Sequence, residues 1–212
     1  MVLRHKSTKQ GARFIFGIGI IAVSIYLFYI ALAKNNSPEL FIIPETEVPG
    51  EYLCRTQTMA DYCVCIPEDL TVNKGPEGIQ ISSKEKRILG SIEIMNTLAK
   101  EKQWRESLQS PLIKLFINDM DDMDTFTLML RILEFRYNPS LMGVKAKLMP
   151  PWMRTNPDAA IIIPAGTDAI IFYTPSQVLG LAFHGKEIVT LSLTGHIDQA
   201  IATGIMNSIR PI

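Results

Sequence analysis

The sequence predicts an α+β sandwich built on an antiparallel sheet and carried behind one N-terminal transmembrane helix. Three observations predict it: an uncharged apolar run over residues 14–33, a series of short β-rich segments separated by turn residues, and a final segment with apolar residues at helical spacing. The chain has 212 residues, 47% hydrophobic and 20% charged, the composition of one folded domain.

The leader, residues 1–13, carries Arg4, Lys6, Lys9 and Arg13 and no acidic side chain. Of the 21 basic residues, 17 then remain against 21 acidic ones, so the rest of the chain has a net charge of −4. Nucleic acid binding rests on neutralising phosphates with lysine and arginine, and an acidic domain is poorly suited to it.

The run FIFGIGIIAVSIYLFYIALA over 14–33 follows. At about 1.5 Å per helical residue it spans a hydrocarbon core of about 30 Å. Phe14, Ile20, Leu27 and Ala33 mark the predicted anchor, with membrane lipid as its partner. Tyr26 and Tyr29 lie toward its far end, where amphipathic rings favour the interface. Four basic residues before the run, against only Lys34 and then Glu39, Glu45, Glu47 and Glu51 after it, predict a cytoplasmic N-terminus. The C-terminal domain is then extracytoplasmic, periplasmic if the membrane is a cell inner membrane. Ala31-Leu32-Ala33 also has the form of a signal-peptide cleavage site, but the run exceeds the usual apolar core of about 7–15 residues, which favours an uncleaved anchor.

Residues 34–50, with Asn35, Asn36, Pro38, Pro44 and Pro49, read as an extended linker with room for a short strand at Leu40 to Ile43. The extracytoplasmic domain occupies 51–212. Tyr52 to Thr56 and Tyr62 to Ile66 are strand candidates, followed by Gly78 to Ser82 and Arg87 to Met95, whose isoleucines largely repeat at period two. Turns fall at Asn73-Lys74-Gly75-Pro76 and at 83–86.

The middle turns helical. Ser110-Pro111 forms a helix start before Leu112, Ile113, Leu115 and Phe116, and a second, apolar helix is predicted from Asp124 to Phe135. Pro139, Pro150, Pro151 and Pro157 then break the chain into a loop or short helix. Four strands follow at Ala159 to Pro164, Asp168 to Thr174, Val178 to His184 and Glu187 to Leu193. The last two are joined by Gly185-Lys186, a two-residue hairpin turn. Beyond Gly195, the spacing of Ile197, Ala200, Ile201, Ile205 and Ile209 predicts a terminal helix on the sheet.

Cys65-Ile66-Pro67-Glu68-Asp69-Leu70 is similar to the early IP-x-x-W/L turn of the PsbP-like fold family, with Leu70 in place of the usual aromatic. Ile205 to Pro211 resembles the family's closing helix and tail. That family is named for an extrinsic subunit of photosystem II and is shared by bacterial lipoproteins and secretion chaperones. The resemblance implies a non-enzymatic binding, assembly or chaperone module, and it carries over no catalytic residue.

Cys54, Cys63 and Cys65 allow one disulfide, from Cys54 to Cys63 or Cys65, with an odd thiol left over. Soft metal binding by Cys63 and Cys65, with Met120 and Met123 as further donors, is the sharper alternative to inert cysteine and core methionine. Asp119, Asp121, Asp122 and Asp124 lack the glycine and glutamate of an EF-hand loop and suit helix capping better. His184 has Glu187 opposite it, and His196 precedes Asp198, but no nucleophile motif accompanies either; solvent-facing polar pairs are the expectation. No catalytic, cofactor or metal residue is assigned. The expected function is that of a membrane-anchored accessory or binding protein, a subunit or assembly factor with a protein partner in a membrane complex. The alternative is a cell-envelope hydrolase or redox or metal-binding protein.

Overall fold

The structure, a computed structural model, describes residues 16, 18–28, 38–43, 54–75, 78–83, 85, 87–96, 102–103, 105–106, 117, 120, 122–134 and 139–212. Residues 16 and 18–28 are helical, and each is exposed. No helix among the described residues is long and apolar enough to cross a membrane. Ile20 and Leu27 sit in this helical run, whereas Phe14 and Ala33 lie outside the described residues, as does the short helix expected after Ser110.

Among the described residues the domain is organised by an eight-stranded sheet in the order β1-β7-β8-β9-β10-β6-β5-β4. Its strands are β1 (Glu39–Ile43), β4 (Leu70–Lys74), β5 (Gly78–Ser83), β6 (Ile88–Asn96), β7 (Ala160–Pro164), β8 (Ala169–Thr174), β9 (Gln177–His184) and β10 (Glu187–Gly195). A three-stranded sheet, β11-β3-β2, contains β2 (Cys54–Met59), β3 (Tyr62–Pro67) and β11 (Arg210–Pro211). The expected large sheet is therefore present but mixed: every described pairing in it is antiparallel except that β1 lies parallel to β7, Glu39 opposite Ala160. The strand expected inside the linker is thus the border strand of the main sheet. Parallel neighbours need a long crossover, and here 116 intervening residues supply it, between Ile43 and Ala160.

The sheet is covered on both faces from β7 to β10, which explains why β7 and β8 read as near-continuous apolar runs. Ile162, Ile170, Ile171 and Phe172 are wholly buried. On one face Ile162, Ile171, Val189 and Leu191 pack with Val64 and Ile66 of β3 and with α3 (Gln199–Ser208). On the other, Ile161, Ile170, Phe172 and Phe183 pack with α1 (Thr125–Glu134), α2 (Pro139–Leu148) and a 3-10 turn, Pro151–Arg154. Phe126 of α1 meets Phe183 with ring centroids 5.6 Å apart. The result is three layers rather than a two-layer sandwich.

Local chemistry sets the helix ends. Asp124 accepts from the Thr127 backbone N–H at 2.8 Å and its hydroxyl at 2.7 Å, which caps α1. Burial alone would raise the Asp124 carboxyl, but these bonds, with its own and the Phe126 backbone N–H groups, hold it below its ordinary range. Asp198 accepts from the Ala200 N–H at 2.8 Å and caps α3. The buried stripe of α3 is Ala202, Thr203, Ile205 and Met206, shifted from the expected one, so that Ala200 and Ile201 are only half-buried. Met206 explains the shift: it seats on Gly180 of β9, where a Cβ would come 2.3 Å from its sulfur.

The β4, β5, β6 and β10 half of the sheet is different. One face carries Ile79, Ile81 and Ile92 inward. The opposite face carries the cross-strand row Asn73, Gln80, Ser91 and Ser192, of which Asn73, Gln80 and Ser192 are exposed. Period-two alternation is intact there because only one side is covered.

Candidate functional site

The β9–β10 turn positions the most unusual group of side chains. Gly185 adopts φ 59°, left-handed geometry that glycine takes without a Cβ penalty, and the two-residue loop sets His184 directly opposite Glu187. Both residues point to the face covered by the small sheet, because His184 shares a side with Ala182 and Glu187 with Val189. There they meet Tyr62, the first residue of β3. Tyr62 is fixed from three sides: it pairs with Met59 of β2 and Pro211 of β11, and its ring packs into the core.

The expected histidine–carboxylate pair does not form. The Tyr62 hydroxyl instead donates to Glu187 Oε2 at 2.8 Å. The Tyr62 ring lies against His184, centroids 5.2 Å apart and planes inclined by 42°. Imidazole Nε2 of His184 is buried and has no hydrogen-bond partner among the described residues. Burial lowers the His184 pKa from 6.5, against the opposing field of Asp168. Burial, then the hydrogen bond to Glu187 and its charge, then Asp61, push Tyr62 up to about 12. Near neutral pH the group is therefore a neutral imidazole beside a protonated phenol that holds a carboxylate. The phenol donates its one proton to the carboxylate, and the imidazole Nε2 beside it is shielded. This arrangement locks the hairpin to the small sheet.

His196 does not join it. Glu187 is the first residue of β10 and His196 follows its last, and eight strand steps from Glu187 to Gly195 amount to about 26 Å. His196 is exposed, and Asp198 caps α3 instead of pairing with it. The two histidines considered for an envelope hydrolase therefore lie far apart.

The cysteines follow from the β2–β3 register. Thr58 stands opposite Cys63, Thr56 opposite Cys65 and Cys54 opposite Pro67. Cys54 is therefore displaced from Cys63 by four residues along the strands, about 13 Å, beyond the reach of a disulfide. Cys63 is a free, half-buried thiol, so of the two pairings open to the sequence the one to Cys63 is closed. Met120 and Met123 pack on the helical face of the main sheet, and the small sheet bearing Cys63 and Cys65 covers the other face. A soft-metal site combining them is excluded by that separation. Among the described residues no three His, Cys, Asp or Glu side chains converge as a metal site. Asp119 and Asp121 of the acidic run lie outside the described residues.

Sequence reasoning missed Tyr62. Its partner Glu187 is 125 residues away, and no local pattern announces the contact. Ser208 was missed for the same reason: its hydroxyl accepts the Cys65 N–H at 2.8 Å and donates to the Ile205 carbonyl at 2.7 Å. It serves the edge of β3 where β11 has not yet begun.

No protein-family model matches the chain, and no curated protein matches it. Among solved structures the chain is similar to the solution structure of cyanobacterial PsbP (CyanoP) from Synechocystis sp. PCC 6803. The likeness has a TM-score of 0.38 at 9% identity and covers 77% of this chain and 95% of that one. At that identity and TM-score the likeness says nothing of ligand or partner.

Proposed function

We propose that the chain is a single-pass membrane-anchored accessory protein, whose α+β domain is held on the extracytoplasmic side and receives a protein partner of a membrane complex. The observation that supports it is the N-terminal helical run: Phe16 is 72% exposed, Phe28 64%, and every residue of 18–28 is exposed. Such a continuous apolar helix surface in water costs free energy at about 25 cal/mol per Å², whereas lipid removes that cost. The basic leader supports the orientation. Tethering raises the local concentration of the domain at the membrane without requiring a catalytic group.

The same compartment allows a disulfide between Cys54 and Cys65. Its support is that the two are diagonal neighbours in the β2–β3 register, and that the sulfur of Cys65 is engaged while that of Cys63 is free.

Alkaline carbonate extraction tests the anchor. The native chain stays with the membrane, and Ile20→Arg with Leu27→Arg, each costing about 2.5–3.5 kcal/mol at a helix centre, releases it. Release of the native chain would refute the reading. Protease applied from the outer side then cuts the domain if the orientation is right.

A further inference from the structure

Outside the N-terminal helical run, the large apolar side chains exposed among the described residues are Phe41, Ile42, Leu89 and Ile212. Two of the four are neighbours on β1. Among the described residues that strand is the border of the main sheet and pairs with β7. Phe41 is 44% exposed and Ile42 65%, and successive strand residues leave opposite faces, so the sheet ends in an apolar rim. Sheet borders are ordinarily blunted by lysine, proline or a bulge. Glu39–Ile43 contains neither lysine nor proline, and its register with β7 runs without a bulge.

Chain length fixes where this rim lies. Six Cα steps separate Ala33, the end of the apolar run, from Glu39, and at about 3.5 Å each they reach at most about 21 Å. The rim is therefore tied close to the bilayer surface. A headgroup layer can take both apolar side chains. Lys34 apart, the flanking charges, Glu39, Glu45 and Glu47, are acidic, so attraction to anionic lipid is not the driving force.

We propose that the β1 edge rests in the headgroup interface of the same membrane, with Phe41 and Ile42 inserted, so that the main sheet stands edge-on to the bilayer. This rests on the anchor reading above. A lipid occupant is favoured over an added strand from a partner protein because the rim is apolar on both of its faces and sits at the anchor.

The test uses the full chain in phosphatidylcholine vesicles and three single variants, Phe41→Trp, Ile42→Trp and Leu89→Trp. Leu89 lies on β6, five sheet positions from β1, and serves as the control. Emission is read as the difference from the parent, which has Trp104 and Trp152. The added emission at positions 41 and 42 is expected to be blue-shifted, to lose most of its intensity to lipids brominated at shallow acyl positions, and to be insensitive to high salt; that at 89 stays unquenched. Unquenched emission at 41 and 42 in a chain that resists carbonate extraction would overturn the edge-on docking and leave the anchor standing. Blue-shifted but unquenched emission would mean that protein, not lipid, covers the rim, which also overturns it. Release of the parent by carbonate would remove both.

Discussion

Gly180 and Met206 offer the sharpest quantitative test of how the layers are seated. A Cβ at position 180 would lie 2.3 Å from Met206 Sδ, 2.9 Å from its Cγ and 3.0 Å from its Cε. All three contacts are to one side chain, which is itself 1% exposed. Overpacking of this kind costs about 1–3 kcal/mol. Met206 is flexible, which favours the lower half of that range, and alanine recovers about 0.5–1 kcal/mol of the backbone penalty that glycine carries inside a strand. Gly180→Ala is therefore expected to destabilise by about 1 kcal/mol. Met206→Ala alone leaves a cavity over β9 and costs about 2–5 kcal/mol. In the double variant the new methyl enters the vacated space, so its cost should vanish or reverse. The double variant should then be more stable than the two single losses predict by at least about 1 kcal/mol. Urea unfolding of all four proteins closes the cycle. Additive losses would show that α3 does not seat on Gly180 through Met206, and the reason given for the shifted stripe of α3 would fail.

The site makes further predictions. The folded state disfavours the charged form of His184, so its contribution to stability is complete above the ordinary value of 6.5 and is lost as pH falls below it, where the unfolded chain takes up the proton first. His184→Gln should flatten that part of the urea midpoint profile between pH 7.5 and pH 5; an unchanged slope refutes the assignment. Tyr62→Phe removes the donor to Glu187, an exposed carboxylate that water can resolvate, and should cost about 1.5 kcal/mol, read as a shift in urea midpoint. Ser208→Ala strips the Cys65 N–H of its acceptor and should cost about 1–3 kcal/mol, with faster hydrogen exchange at that amide; unchanged exchange would mean that another acceptor serves the edge.

Elements whose apolar pattern is strong were legible. The hairpin at Gly185-Lys186 has the expected two-residue loop, and Leu181 and Phe183 face the helical layer while Val189 and Leu191 face the other. The isoleucines of β5 and β6 alternate as read, since that half of the sheet is covered on one side only. Strand β4 was not foreseen because it is a border strand: Leu70 is buried, Val72 is half-buried and Thr71, Asn73 and Lys74 are exposed. Helix α2 falls where the prolines leave a loop or short helix open, because Pro139 reads as a breaker. Proline at a first helical position is compatible with a helix, and Val144 and Leu148 supply its buried contacts. The parallel pairing of β1 was invisible for a different reason, since nothing in five residues after a proline specifies a partner more than a hundred residues away. The Tyr62 cluster belongs to the same class of long-range contacts.

The order of the sheet gives the edge-on proposal a consequence for the partner. Strands are spaced about 4.8 Å apart, so seven spacings put β4 up to about 34 Å from β1, with the accumulated twist turning the two borders away from each other. If β1 rests on the bilayer, the β4 border and the bare polar face beside it project farthest into the aqueous phase. That face is internally satisfied in part: Thr194 donates to the Leu89 carbonyl at 3.2 Å, and Ser91 donates to Glu93 at 2.7 Å. Among the described residues a partner that buried the whole face would meet Leu89 as its one exposed large apolar side chain and would have to match each hydroxyl and amide it covered. Recognition there is thus set by polar complementarity, whereas attachment at the other border is set by apolar area. High salt and competing polar cosolutes should therefore loosen a partner from the distal border while leaving the chain on the membrane, and a complex with the opposite sensitivity would place its interface elsewhere.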